Sequence, residues 1–311
     1  MSKASRGARR RERRPRNGGN NESTPAVAVP PPDASKPWVG LGVVAIVAAF
    51  LCPVVFTGPS RMDDPATILL NPHFDPPTFT AGKVLWYWSN SDGLGLYIPI
   101  TYTTWGLLAR ATYVPTPDEL GQHVDVRVFH AASLAWHLIN VGLVYALLRG
   151  LLTRQVAGRD PRWPAAAGAL LYGLHPLQVE AVAWLSGMKD LMSASASLGS
   201  VLLYLRAVDP APGTTSGSRR AMYVTGLLLV PIGMLCKPTA MVAPLIAAAL
   251  DLLIVRRPLR RVALAIAPYL LAALPLAIVA RVVQPLAGVP APPIWQRPIV
   301  SGRRLLSTSR S

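Results

Sequence analysis

Charge is scarce in this 311-residue chain: Asp, Glu, Lys and Arg make up 15% of it, against about 25% in a soluble globular protein. Acids are scarcer still, 15 against 31 basic residues, for a net charge of +16. With 51% of residues hydrophobic, this composition excludes an ordinary soluble domain. There are only two cysteines, Cys52 and Cys236, each inside an apolar run. They read as small hydrophobes and exclude a disulfide or cysteine–metal framework. No 34-residue period is present, so the chain is not an array of helical repeats. Its two halves do not resemble each other, which argues against a transporter built from internal repeats. It also lacks any folded nucleic-acid-binding motif, so the positive charge needs another explanation.

What is present begins with a tail. Residues 1–37 hold nine basic residues and three acids (Glu12, Glu22, Asp33), show no apolar period and run out through Pro30-Pro31-Pro32. This is a disordered basic segment. Such a tail serves either to bind RNA or anionic lipid, or as a cytoplasmic topology signal; the runs that follow it favour the second. Residues 38–56 carry no charge, long enough at about 1.5 Å per residue to nearly span a bilayer core. The run is too long for a cleaved signal peptide and reads as a signal anchor. Further apolar runs at 126–148, 164–184, 190–206, 221–236, 239–255 and 262–283 bring the expected number of transmembrane helices to about seven. The expected fold is all-α, a polytopic membrane helix bundle.

Basic residues orient it. With the N-terminus in the cytoplasm, the cytoplasmic segments hold 20 of the 31 basic residues, including Arg149, Arg154, Arg206, Arg219, Arg256 and Arg260. The first outward loop, 58–125, holds only Arg61, Lys83 and Arg110 against seven acids. This asymmetry accounts for the net charge without nucleic acid. Residues 38–283 are then a membrane domain. Residues 284–311 form an outward C-terminal segment that violates the pattern with Arg297, Arg303, Arg304 and Arg310, and the chain is read as cut short there.

The polar residues collect toward the outward face. Asp63 and Asp64 follow the first span directly. Adjacent carboxylates there serve as a general base, as ligands for a divalent cation, or simply as a loop start or helix cap. The same loop contains Trp86, Tyr87, Trp88, Tyr97, Tyr102, Trp105 and Tyr113. Segments 83–88 and 94–113 are expected to be interfacial helices, presenting either an aromatic belt or a platform for a sugar or lipid phosphate. In the second span His130, His137 and Asn140 share a face and either line a cavity or bond neighbouring helices. His175, Glu180, Lys189 and Asp190 crowd the second outward turn. Pro176 is expected to bend the chain there. Lys237 marks the third turn, where it meets a phosphate or snorkels.

In order, Met62-Asp63-Asp64-Pro65, Asn71-Pro72-His73, Tyr97-Ile98-Pro99-Ile100-Thr101-Tyr102, His130…His137…Asn140, His175-Pro176-Leu177-Gln178-Val179-Glu180-Ala181-Val182-Ala183-Trp184, Lys189-Asp190 and Cys236-Lys237-Pro238 form a set. It resembles the membrane part of the transmembrane and tetratricopeptide-repeat O-mannosyltransferases and their bacterial relatives, within the integral-membrane glycosyltransferases that use polyprenyl-phosphate sugars. The likeness covers roughly residues 38–300. It departs at Ile98, where many members carry an arginine before the proline, and in lacking the helical repeats that follow in the family.

The resemblance implies transfer of a sugar from a polyprenyl-phosphate donor to a protein or glycan hydroxyl at the outer face, in a bacterial cytoplasmic membrane, with no nucleic-acid partner. Asp63 and Asp64 are the expected catalytic pair, with Asp63 favoured as base by analogy. His175, Glu180, Lys189, Asp190, Lys237, Tyr97, His130 and His137 are the expected substrate-binding set. No cofactor is implied. A divalent metal is left open, with Asp63, Asp64, His73, His175 and Glu180 as its candidate ligands. The alternative function is a non-catalytic or truncated polytopic membrane protein. The topology is directly testable: a cysteine at position 92 is expected to react with a membrane-impermeant thiol reagent from outside, and one at position 215 is not. The reverse pattern would overturn the placement of the acidic pair.

Overall fold

The computed structural model describes residues 37–60, 63–74, 78–89, 96–117, 123–155 and 160–283. The basic tail, Arg61-Met62, Asp92 and the 284–311 segment lie outside the described residues. Among those described the chain is helical throughout, with one isolated bridge between Tyr113 and Val124 and no other β pairing.

Helix α1 (Trp38–Leu51) continues as a 3₁₀ turn, Cys52–Phe56, where Pro53 cannot donate a main-chain hydrogen bond. Its buried residues, Val39, Val43, Val47 and Leu51, recur every fourth position and make one stripe. Two short helices follow within the 58–125 segment, α2 (Ala81–Ser89) and α3 (Pro99–Ala111). Then come α4 (Val126–Gln155), α5 (Arg162–Gly173), α6 (Pro176–Ala183) and α7 (Met188–Val208). The chain finishes with α8 (Ser216–Cys236), α9 (Ala243–Leu250) and α10 (Leu259–Val283).

Six segments are individually long and apolar enough to cross a membrane: Trp38–Phe56, Val126–Gln155, Leu185–Val208, Ser216–Cys236, Pro238–Val255 and Leu259–Val283. Large apolar side chains such as Leu41, Phe50, Leu228, Leu253, Leu264 and Val282 are exposed on these helices. Such a surface belongs in lipid, and the chain is an integral membrane protein.

The run expected as one span at 164–184 is broken. Leu174 ends α5, His175 is extended (ψ 132°), and Pro176 starts α6. Proline lacks the amide that would continue the helix and suits the first position of a new one. The two pieces still follow α4 in the antiparallel sense. Gly168 sits on Leu148, Gly173 on Val141, and Val182 beside His130. Together they cover the length of a crossing that neither covers alone.

Helix α7 is the centre of the bundle, with two thirds of its membrane window buried against under a third for each of the other five. Buried small residues let its neighbours approach: Ser193, Ala196, Gly199 and Ser200 face α8 across Gly226 and Gly233. Close backbone approach at small residues is how helices associate in lipid, where there is no hydrophobic drive to pair. Ser200 Oγ donates to the Gly226 carbonyl at 2.8 Å.

The 58–125 segment caps one end of the bundle. Phe74, Tyr87, Tyr102 and Trp105 pack ring to ring at 5.7–6.3 Å between centroids, over Phe129, Met188 and Cys236. Burial pushes the Tyr87 and Tyr102 hydroxyls up to about 12. Phe74, Tyr87, Tyr102 and Trp105 are therefore core, while Trp88 and Tyr113 are exposed. Thr101 Oγ1 donates to the Cys236 carbonyl at 2.9 Å and so ties α3 to the end of α8.

A β-carbon at Gly233 would fall 2.9 Å from the β-carbon of Ala240 and 3.0 Å from that of Ala196, and neither neighbour can rotate away. Gly233→Val is therefore expected to cost about 1–3 kcal/mol, read as a lower midpoint of thermal unfolding in detergent. Gly42→Val, with nothing within 4 Å, is expected to leave it unchanged.

Candidate functional site

The site is organised by Asp64. This residue precedes a π-helical turn, Pro65–Leu69, and is completely buried. Its Oδ2 accepts from the Ser60 amide at 2.8 Å and the Leu185 amide at 3.1 Å, and its Oδ1 from the Ser186 amide at 2.9 Å. Leu185 and Ser186 open the 3₁₀ turn Leu185–Gly187 that leads into α7. Asp64 thus acts across the fold as the cap of a helix whose free amides and dipole favour a negative charge. The turn needs Gly187, because a β-carbon there would lie 2.4 Å from the Ala181 carbonyl oxygen.

Asp63 is exposed, in contrast with its neighbour. Both carboxylates are within electrostatic reach of Lys189, in the first turn of α7, and so are Asp190 and Lys237. Lys189 Nζ donates to the Ser186 carbonyl at 2.8 Å. Lys237 Nζ forms an ion pair with Asp190 Oδ1. The Lys237 carbonyl accepts from Ser193 Oγ at 3.2 Å, which holds the α8–α9 turn against α7. Three stretches far apart in sequence therefore meet at one end of the bundle. They bring together Asp63, Asp64, Lys189, Asp190 and Lys237, three acids and two lysines.

His130 lies against this cluster from α4. It is fully buried and feels the charge of Asp64, yet neither ring nitrogen has a hydrogen-bond partner. The backbone of Thr57, Gly58 and Val182 surrounds the ring without completing a bond. Ser186 Oγ, likewise buried, is also unpartnered. Beside Asp190 a cavity of about 390 Å³ opens between α6 and α7, lined by Tyr172, Gln178, Ser193, Ser197 and Thr239 among others.

Other residues singled out in the sequence lie apart from this cluster. His137 Nε2 is 2.9 Å from the Gly173 carbonyl, and Asn140 bonds Leu191 and Ser195 of α7. His137 and Asn140 thus join α4 to two different helices rather than lining one cavity with His130. His175 caps α6, its Nδ1 accepting from the Leu177 amide at 3.2 Å; it and Glu180 are exposed. Asp64 meets the chain ten residues past His175, at Leu185-Ser186. Tyr97 donates its hydroxyl to the Trp88 carbonyl at 3.0 Å. His73 stacks on Trp86 and approaches Lys83 at 3.5 Å. Asp63, Asp64, His73, His175 and Glu180 do not converge as a ligand set, and no group of three His, Cys, Asp or Glu able to hold a metal ion occurs among the described residues.

Sequence reasoning missed Ser60, Leu185 and Ser186. Two of them act only through main-chain amides, which have no signature in side-chain chemistry. The nearest signal was Gly187, whose missing β-carbon lets the turn close.

The fold and this cluster define a polytopic helical membrane protein with a charged site at one end of its bundle. Over 127 residues the chain is 32% identical to the Protein O-mannosyl-transferase Tmtc2 of Drosophila melanogaster; the match covers 40% of this chain and 12% of that protein. No protein-family model and no solved structure matches the chain.

Asp64→Asn replaces an acceptor oxygen with an amino group facing an amide donor. It is expected to lower stability by about 3 kcal/mol or more, whereas Asp63→Asn, on the surface, shifts it by no more than about 0.5 kcal/mol. Thermal unfolding of the two variants side by side checks this; equal effects would refute the division of roles.

Proposed function

We propose that residues 38–283 form a membrane glycosyltransferase-like domain that moves a sugar from a polyprenyl-phosphate donor to a hydroxyl of a protein or glycan. In this reading the basic tail is cytoplasmic, and the cluster around Asp63 faces outward from a bacterial cytoplasmic membrane. The observation that carries it is the convergence of the acidic pair with Lys189, Asp190 and Lys237 at one end of the bundle. The partial likeness to an O-mannosyl-transferase points the same way.

The chemistry divides among these residues. Asp64 spends its lone pairs on three amides and positions the loop. Asp63 is the exposed carboxylate and acts as general base. The acceptor oxygen attacks the anomeric carbon, the bond from that carbon to the phosphate oxygen breaks, and the acceptor proton passes to Asp63. Negative charge grows on the departing polyprenyl phosphate, where Lys189 and Lys237 stabilise it. The cavity beside Asp190 supplies polar contacts for the sugar from Gln178, Ser193 and Thr239. His130 is buried against Asp64 and lies outside that cavity's lining.

The test is transfer of labelled mannose from polyprenyl-phosphate mannose to a hydroxyl acceptor by membranes carrying this chain, and by a longer relative altered at the matching positions. Asp63→Asn is expected to lower transfer by about 100-fold or more with unfolding unchanged. Full activity in that variant would remove Asp63 as base. Absence of transfer by both unaltered proteins would remove the function.

A further inference from the structure

The opposite end of the bundle carries a second built site. His130 and Arg149 are nineteen residues apart on α4, about 28 Å at 1.5 Å per residue, close to the thickness of a bilayer core. At that level the last turns of α4 and α7 leave a cavity of about 500 Å³ between them. Arg149, Arg154 and Arg206 line it over an apolar floor that includes the buried Leu202 and Leu205.

Two acids are near, and both are taken. Asp209 receives Arg154 Nε at 2.6 Å, and its carbonyl receives Nη2 at 3.2 Å. Asp160 is within electrostatic reach of Arg149 but is bonded by its own neighbour Arg162 at 2.8–2.9 Å, which holds its carboxyl below the usual range. Arg149 and Arg206 therefore stand at the cavity without a hydrogen-bonded or ion-paired partner among the described residues. Tyr145, one turn before Arg149, packs its ring against Gly40 of α1, and its hydroxyl is buried. Two guanidinium groups without partners at one cavity make a site short of an acceptor-rich anion.

The surroundings say which anion. Trp38 and Trp163, both more than half exposed, meet edge to face at 5.6 Å at this same end, at the starts of α1 and α5. Exposed tryptophans mark the headgroup level of a bilayer. The cavity combines cations, an apolar floor and headgroup depth, as the phosphodiester of an anionic phospholipid requires. We propose that the cleft between the ends of α4 and α7 binds an anionic phospholipid, its phosphate held by Arg149 and Arg206. This site is independent of the transfer reaction and of the cluster around Asp63.

The test uses the full chain purified in neutral detergent and stripped of lipid. Binding of phosphatidylglycerol, phosphatidylcholine of the same acyl chains, and inorganic phosphate is followed by native mass spectrometry and thermal stabilisation. Phosphatidylglycerol is expected to bind in preference to phosphatidylcholine, and inorganic phosphate is not expected to displace it. Arg149→Gln and Arg206→Gln are each expected to weaken the lipid about fivefold. Arg149→Lys, which keeps the charge, retains most of the preference and guards against loss of fold. Arg260→Gln, an exposed arginine remote from the cavity lining, leaves binding unchanged. Equal weakening by Arg260→Gln would reduce the effect to diffuse surface charge. Equal binding of the two lipids, or displacement by inorganic phosphate, would overturn the phospholipid assignment.

Discussion

One buried carboxylate holds two charged stretches of this protein in register. Asp64 reaches from the segment after α1 to the amides that open α7, separated from them by more than 120 residues. An unpaired charge cannot remain in so dry a position, and three amide donors supply what water would. The consequence is geometric. Because Asp64 is fixed, its neighbour Asp63 is held at the surface within reach of Lys189, and the acidic pair becomes two residues with different environments.

The rest of the bundle serves that junction. Helix α7 is central, so its first turn is immobilised by α4 on one side and α8 on the other. Glycines at 226 and 233 let α8 approach, and Ser193 and Thr101 tie the turn that bears Lys237 to α7 and α3. The aromatic cluster of Phe74, Tyr87, Tyr102 and Trp105 closes the same end. Hydrogen bonds from Asn140 and close contact at His137 fasten α4 to its neighbours without forming a site.

The two ends of the molecule carry different electrostatics. At one, acids and lysines compensate each other around Asp64. At the other, arginines outnumber the acids within reach, and those acids are already bonded to Arg154 and Arg162. The basic excess that orients a membrane protein is thus more than a count: part of it is gathered around a cavity with an apolar floor.

The sequence by itself determined the class of fold. Long uncharged runs at 38–56 and 262–280 leave a membrane as their only suitable solvent, and their hydropathy is a local property that no tertiary contact can alter. Helices at 81–89 and 99–111 were legible from their aromatic content, and the break before Pro176 from its missing amide. Which polar residues act together was not legible, because that depends on contacts across the whole chain. His130 and His137 share a face by spacing, yet one lies against Asp64 and the other against Gly173. His175 and Glu180 stand in the densest polar string, but Asp64 bonds main-chain amides further on, at Leu185 and Ser186. Tyr87, Tyr102 and Trp105 belong to the core, although their composition alone also suited a ligand platform. Only the tertiary structure separated Asp63 from Asp64, since the difference between them is burial and three amide donors, two of which come from the distant turn at Leu185-Ser186.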